Sequence, residues 1–335
     1  MLRLCSKITI TQITGEKLSW EFNSLVNCTI VSDVSNLTDT CEIELPKKIK
    51  WQINKDTYSG LPIKRGDKIS IRLGYDDDLK LRFSGIIKNI DTKNPVKLTC
   101  EDDMFQLKQQ KPIEKGFKSA LLKEVMNHIM KDTGINFQLV DDTLKIGDYR
   151  VSKNTISEEL QEIKEKCKLN IYFRKINGEN ILYAGLKYPL DNRSKVRFAS
   201  GKTIITESFE YRDRSNVKAK VVAVSFNKKH KEIRVELGDK DGKDIIKLRI
   251  DGLEEEDLTK YAQQSLDTYK EDGLKGSFEA FGEPLVNPCD MIEIYPTDGP
   301  AGTYLIKKNE VKFGISGYRQ KIELGPQINM NKTGA

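Results

Sequence analysis

The chain has 335 residues, more than one hydrophobic core of ordinary size accommodates, so two or three domains are expected. Hydrophobic residues make up 38% and charged residues 32%, a globular composition on the polar side, and no apolar run approaches the roughly 20 residues of a membrane-spanning helix. Lysine and arginine number 56 against 50 aspartates and glutamates, a mild net charge of +6 with alternating signs, whereas a dedicated duplex-DNA binder carries a denser basic face.

Residues 1–108 read as strands. Lys7 to Thr11 and Cys28 to Val31 alternate at period two. Between Thr38 and Leu45, Cys41, Ile43 and Leu45 share one face and Glu42 and Glu44 the other, until Pro46 stops the run. Lys68 to Leu73, Leu79 to Ile90 and Val96 to Cys100 follow, broken by Gly66, Gly74 and the run Asp76-Asp77-Asp78. Short strands at turn spacing predict a barrel or sandwich. Residues 109–194 change character and predict a small α+β domain. Lys118 to Lys131 reads as a helix, with Ala120, Leu121, Val125 and Ile129 inward and Gly134 as its cap. Thr155-Ile156-Ser157-Glu158 is a capping box opening a helix that carries Leu160, Ile163 and Cys167 inward. Asn177-Gly178 then predicts a hairpin between two strands. Residues 195–327 return to strands, among them Val217 to Phe226, Lys231 to Leu237 and Asp244 to Ile250. One helix interrupts them near Glu254 to Lys270, with Leu258, Tyr261, Ala262, Leu266 and Tyr269 as its apolar stripe. Residues 328–335 are expected to fray.

The chemistry-bearing residues are sparse. There are two histidines, His128 in a helical stretch and His230 in a lysine-rich turn, and neither has an H-x-x-H partner. The sequence holds no G-x-S-x-G, no P-loop and no G-x-G-x-x-G. Cys5, Cys28, Cys41, Cys100, Cys167 and Cys289 never come at C-x-x-C spacing and read as reduced, mostly buried small hydrophobes. Asp239-Lys240-Asp241-Gly242 fails the EF-hand spacing and reads as a hairpin turn. The acids of Asp76–Asp78 read as a turn and those of Glu254–Asp257 as a helix start, and for these and for Glu101–Asp103 a structural role outweighs a catalytic one. No catalytic, cofactor-binding or metal residue is singled out, and no cofactor is expected. The N-terminus turns polar too soon for a signal peptide.

An internal echo is the most informative feature. Pro62-Ile63-Lys64-Arg65-Gly66-Asp67-Lys68-Ile69 and Pro284-Leu285-Val286-Asn287-Pro288-Cys289-Asp290-Met291-Ile292 are both proline-led turns ending in Asp before an alternating strand. Each leads to a second strand, Ile86-Ile87-Lys88-Asn89-Ile90 or Ile306-Lys307-Lys308-Asn309-Glu310-Val311, and to a third, Val96–Cys100 or Gln320–Leu324. A duplicated barrel is the expectation.

These residues resemble the phage baseplate hub proteins, the late control protein D family of contractile tails, and the N-terminal part of type VI spike proteins. The resemblance is carried by Asn36 to Pro46, Gly66 to Ile69, Phe83 to Ile87 and Cys100 to Asp102. More sharply, it is carried by Gly282 to Ile292, Gly302 to Ile306 and Gly317 to Leu324. Cys289 departs from it, standing where the family has the Gly of a Pro-Gly-Asp turn. The resemblance implies an α+β, mainly β fold: two related antiparallel β-barrels of tail-tube type (1–108 and 195–327) with an inserted α+β domain (109–194). It also implies a non-enzymatic homotrimer that gives six quasi-equivalent barrels in a ring closed by pairing of sheet edges. A tail tube or tube-initiator protein would stack on one face. A separate spike protein would attach on the other, with baseplate proteins around, in a virion or injection-system baseplate assembled from protein made in the bacterial cytoplasm. Two other readings remain. One is a single-stranded nucleic-acid-binding barrel that stacks bases on Tyr172, Phe173, Arg174, Lys175, Tyr183 and Tyr188. The other is a cell-wall hydrolase, which needs an acid pair in a cleft. Tyr295 and Tyr304 could face either a neighbour or the core.

Overall fold

The computed structural model describes residues 2–15, 17–46, 52–53, 56–57, 62–176, 178–190, 196–227 and 229–328. The first strands are β1 (Leu4–Thr11), β2 (Ser19–Phe22), β3 (Asn27–Asp33), β4 (Thr40–Leu45), the short pair β5 (Gln52–Ile53) and β6 (Asp56–Thr57), β7 (Lys68–Tyr75), β8 (Asp78–Asp91) and β9 (Val96–Glu101). They pair antiparallel in the order β3-β4-β9-β8-β7-β1-β2, with β5 and β6 pairing apart from this sheet. The period-two pattern is what curls the sheet. Ile8 and Ile10, Cys28 and Ile30, Cys41, Ile43 and Leu45, Ile69, Ile71 and Leu73, and Leu98 and Cys100 all point into one core, while Glu42 and Glu44 face out. Asp76 and Asp77 form the β7–β8 turn at positive φ, as the acid run predicts.

The middle elements are α1 (Met104–Leu107), β10 (Lys115–Leu121), α2 (Leu122–Ile129), β11 (Phe137–Leu139), β12 (Lys145–Val151), α3 (Ile156–Lys166), β13 (Asn170–Ile176) and β14 (Glu179–Gly185). The helix expected from Lys118 begins only at Leu122. Residues 115–121 instead pair with β12, where Phe117 faces Tyr149, because that edge would otherwise leave its backbone groups unpaired. The capping box forms: Thr155 Oγ1 accepts from Glu158 N at 3.1 Å, and Leu160, Ile163 and Cys167 are buried. In the predicted hairpin Asn177 lies outside the described residues; its strands pair down to Ile176–Glu179, and Gly178 has φ +85°.

The remaining elements are β15 (Val196–Ala199), β16 (Ile204–Arg212), β17 (Ala219–Phe226), β18 (Glu232–Gly238), β19 (Asp244–Arg249), α4 (Glu255–Tyr269), β20 (Gly273–Phe281), β21 (Met291–Tyr295), β22 (Gly302–Gly314) and β23 (Gly317–Gln327). Here the packing departs from the expected boundary at 195. β17, β18 and β19 form their own sheet, and α4 lies on it. Ala219, Val221, Ala223, Leu258, Tyr261 and Ala262 join the core of the middle domain, together with Leu122, Ile146, Leu160 and Ile171. The second barrel therefore consists of β15, β16 and β20–β23 around Phe198, Phe278, Ile292, Ile294, Tyr304 and Ile322. Alternation shows that one face of 217–250 is buried; it does not show against what. Of the expected frayed tail, Ile328 is described and its N–H bonds to Thr303 O, while the rest lies outside the described residues.

The duplication is visible in the hydrogen bonds. In the first barrel Lys64 N donates to Asp67 Oδ2, Asp67 N to Lys64 O, Gly66 N to Ile87 O, and Ile87 N to Asp67 O. In the second, Asn287 N donates to Asp290 Oδ2, Asp290 N to Asn287 O, Cys289 N to Ile306 O, and Ile306 N to Asp290 O. The same break in register follows, between Ile87 and Asn89 on β8 and between Ile306 and Lys308 on β22. The strand orders also match, β3-β4-β9-β8-β7-β1 against β16-β20-β23-β22-β21-β15. One partner differs in sense, since β15 runs parallel to β21 whereas β1 is antiparallel to β7. The two barrels are spliced into a single sheet where β22 pairs with β3, from Lys308–Asp33 to Gly314–Asn27. The fold is mainly β with few helices, as expected.

Candidate functional site

Among the described residues, those that could carry chemistry are engaged in structural contacts or lie in exposed turns. His128 Nε2 is 2.8 Å from Ile113 O and its ring meets Phe117 edge-on, so it anchors α2 to the preceding segment. His230 is an exposed turn residue at φ +57°. The six cysteines are free thiols, and among the described residues no three of His, Cys, Asp and Glu are grouped to hold a metal ion. In the Asp239–Gly242 turn, Asp239 and Asp241 pair with Lys270 and Lys218. Glu255, Glu256 and Asp257 occupy the first turn of α4.

The acids near Glu101 separate into two roles. Glu101 is buried. Burial works against its charge, but hydrogen bonds from Lys108 and Lys88 win and hold its carboxyl below the ordinary value. Asp102 is also buried. It accepts from Asp39 N at 2.8 Å and Met104 N at 3.0 Å, and so ties the loop before β4 to α1. Burial, then the neighbouring Asp39, pushes the Asp102 carboxyl well up. The Asp39 carboxyl is itself pushed up to about 6, chiefly by burial, against a hydrogen bond from Ser32 and the charge of Lys175. This acid pair lies in a packed joint. A polar cleft of about 630 Å³ does lie between the outer face of the first barrel (Thr9, Lys68, Ser84) and the middle domain (Asn136, Asn180). One of its acids, Asp103, is taken up by Asn180 Nδ2 at 2.8 Å.

What the buried polar groups do is hold three bodies in one arrangement. Arg82 on β8 is 4% exposed; it donates through Nε to Tyr318 OH and through Nη2 to Gly282 O, with Glu283 Oε1 at 4.0 Å. Its guanidinium lies over the Tyr318 ring, 5.3 Å from the centroid. A Cβ at Gly282 would come within 2.2 Å of that ring, which accounts for a glycine there. Lys175 on β13 reaches Arg82 O at 2.6 Å and brings the middle domain onto the same joint; burial lowers its pKa to about 8. Lys164 on α3 donates to Val34 O and Ile171 O, both at 3.0 Å, and burial likewise lowers it to about 8.

A third joint contains Cys289. Val34 from the first barrel, Tyr172 and Tyr183 from the middle domain, and Cys289 from the second form one small core, with Tyr172 OH 2.8 Å from Cys289 Sγ. Cys289 holds φ +66° where its counterpart Gly66 has φ +97°. The turn is as tight as its counterpart: the cysteine keeps the left-handed backbone, and its side chain plugs the joint. Left-handed geometry costs a side chain about 1 kcal/mol. Cys289→Gly removes that cost together with the thiol contact and should leave stability within about 1 kcal/mol of wild type, whereas Cys289→Ala keeps the cost and loses the contact, for a fall of about 1–2 kcal/mol. Urea unfolding of the two variants checks the order.

Of the residues expected as a base-stacking platform, Tyr172, Phe173, Arg174 and Tyr183 are at most 7% exposed, and Lys175 and Tyr188 are half-buried. Of the two tyrosines left open, Tyr304 lies in the second core and Tyr295 is exposed.

This fold, two like barrels spliced through one sheet with an α+β domain between them, is also found in solved phage tail proteins. The tail protein of Neisseria meningitidis MC58 is similar over 96% of each chain, with a TM-score of 0.68 and 12% identity. The 43 kDa tail protein of prophage MuSo2 from Shewanella oneidensis aligns over 95% of this chain and 98% of its own, at TM-score 0.62 and 13% identity. A type VI secretion component of E. coli, described as structurally similar to bacteriophage T4 tail proteins gp27 and gp5, aligns over 90% of this chain and 73% of its own, at TM-score 0.56 and 10% identity. No protein-family model and no curated sequence matches the chain.

Proposed function

We propose that this chain is a structural baseplate hub protein of a phage tail or phage-like injection system. Three copies would make a ring of six like barrels that joins a sixfold tail tube to a threefold central spike. The observation that carries this reading is the duplication itself. Two barrels with the same turn, the same bulge and the same strand order are spliced edge to edge within one chain. A unit that holds two like positions matches threefold to sixfold symmetry without a second gene product. The likeness to tail proteins supports the same role, and the described chemistry-bearing residues, being taken up by internal contacts, give no support to an enzymatic one.

The test is the mass of the purified protein in solution with negative-stain images of the main species. The expected result is a mass of three chains and ring-shaped particles. A chain that stays monomeric counts against the ring.

A further inference from the structure

The splice between the barrels is a template for a joint between copies. β22 outruns β21: residues 302–305 pair with β21, and residues 308–314 pair, on that same side, with β3 of the other barrel. β8, the counterpart of β22, outruns β7 in the same way. Its pairing with β7 ends at Ile86, β9 occupies its other side to Asp91, and no described strand pairs with its free side beyond Ile87. Lys88 and Asn89 are exposed there, whereas their counterparts Lys307 and Lys308 are partly covered by β3. The complementary edge is also duplicated. β16 is the counterpart of β3 and ends the long sheet with one side unpaired, and Tyr211 on it is 54% exposed. Each barrel thus has one accepting strand and one donating edge. The chain joins one of each to itself and leaves one of each open.

We infer that the open stretch of β8 in one copy pairs antiparallel with β16 of a second copy, in the register of the β22–β3 splice. This rests on the hub reading and supplies its ring contact. The register follows from a rung that both barrels share. Asp91, Lys97, Glu44 and Asn27 are successive cross-strand partners in the first barrel; Glu310, Lys321, Glu279 and Thr206 are in the second. Lys308 faces Asp33 in the splice, so Asn89 faces Arg212 of the next copy. By the same rule Ile90 faces Tyr211, which buries an exposed ring. Asp91 meets Glu210, and each of these acids already has a lysine as cross-strand partner, Lys97 and Lys275. The contact is head-to-tail, a geometry that closes into a ring only when the rotation per copy allows it. It also covers an edge that would otherwise recruit any passing strand.

Cross-linking tests it. Facing Cβ atoms on paired strands lie about 4.5–5.5 Å apart and diagonal ones about 7–8 Å, and a disulfide spans only the first. The matched pair Asn89→Cys with Arg212→Cys, oxidised mildly in a Cys5→Ser background, should give covalent trimers at least tenfold more than the shifted pair Asn89→Cys with Glu210→Cys. Chains carrying one substitution each, when mixed, should stop at dimers. Ring particles that fail to cross-link through the matched pair, or that favour the shifted pair, overturn this joint and leave the hub reading standing. A matched-pair protein that forms neither rings nor cross-links overturns both.

Discussion

Arg82→Ala should lower unfolding stability by about 3 kcal/mol or more, one of the largest losses expected from any single side chain here. The arginine is buried, and its partners come from the other barrel: Tyr318 OH, Gly282 O and the Glu283 carboxylate. Truncation removes the cation and strands those groups where water does not reach them. The Tyr318 ring, packed between the guanidinium and Tyr75, also loses a face. Arg82→Met keeps much of the stem volume and should lose less, and Arg82→Lys should not rescue, because one ammonium cannot reproduce a planar fork that serves a hydroxyl and a carbonyl together. Urea denaturation of the three variants measures this. An alanine variant as stable as wild type would mean that the β22–β3 splice and the packing of Val311, Phe313 and Tyr318 into the first core hold the two barrels without the arginine.

That arginine also marks where sequence reasoning stops. The strands of the first barrel are legible because each buries every second residue; Cys41, Ile43 and Leu45 announce their face without any knowledge of the partner sheet. The capping box at Thr155 is legible because all its members lie within four residues. Arg82 sits beside Phe83 on a strand, and local pattern assigns such a charge to solvent. Its burial depends on groups contributed by Gly282, Glu283 and Tyr318 from the far end of the chain. The repeat was legible at its turns and misaligned at its strands. Reading Lys88-Asn89 against Lys308-Asn309 is one residue out, because the hydrogen bonds place Ile87, not Ile86, opposite the turn as Ile306 is. Divergence hid the correct frame: Ile90 in the first barrel corresponds to Asn309 in the second, where Asn309 bonds to Gln320 at 3.2 Å inside a polar pocket. The destination of residues 217–269 was illegible for a related reason. An amphipathic strand or helix states that it has a buried face, and only the assembled fold decides which core receives it.

The joint around Asp39 should make stability depend on pH in a window set by that residue. Its carboxyl titrates near 6 in the folded chain, above its ordinary value, because burial disfavours the charged form more strongly than Ser32 and Lys175 favour it. A raised carboxyl contributes stability fully below its unfolded value near 4, and that contribution is lost as the pH rises through about 6. Asp102 is shifted in the same direction by burial and by Asp39, so the two acids add. Lys175 and Lys164, both lowered to about 8, act in the opposite sense and only above that pH, which leaves the window from 4 to 7 to the acids. Paired carboxylates elsewhere, Glu101 and Asp141 among them, are shifted down and lose stability on acidification, so total stability does not isolate the effect. The difference between wild type and Asp39→Asn does. Asparagine still accepts from Ser32 and carries no charge at any pH, so the variant should gain on wild type by on the order of 1–3 kcal/mol as pH rises from 4 to 7. Urea midpoints at several pH values give this difference directly. A gap that stays flat across the window would mean that Asp39 is charged throughout, held by Lys175 as an ordinary ion pair. The joint between the first barrel and the middle domain would then be a permanent salt link, and acid would weaken it.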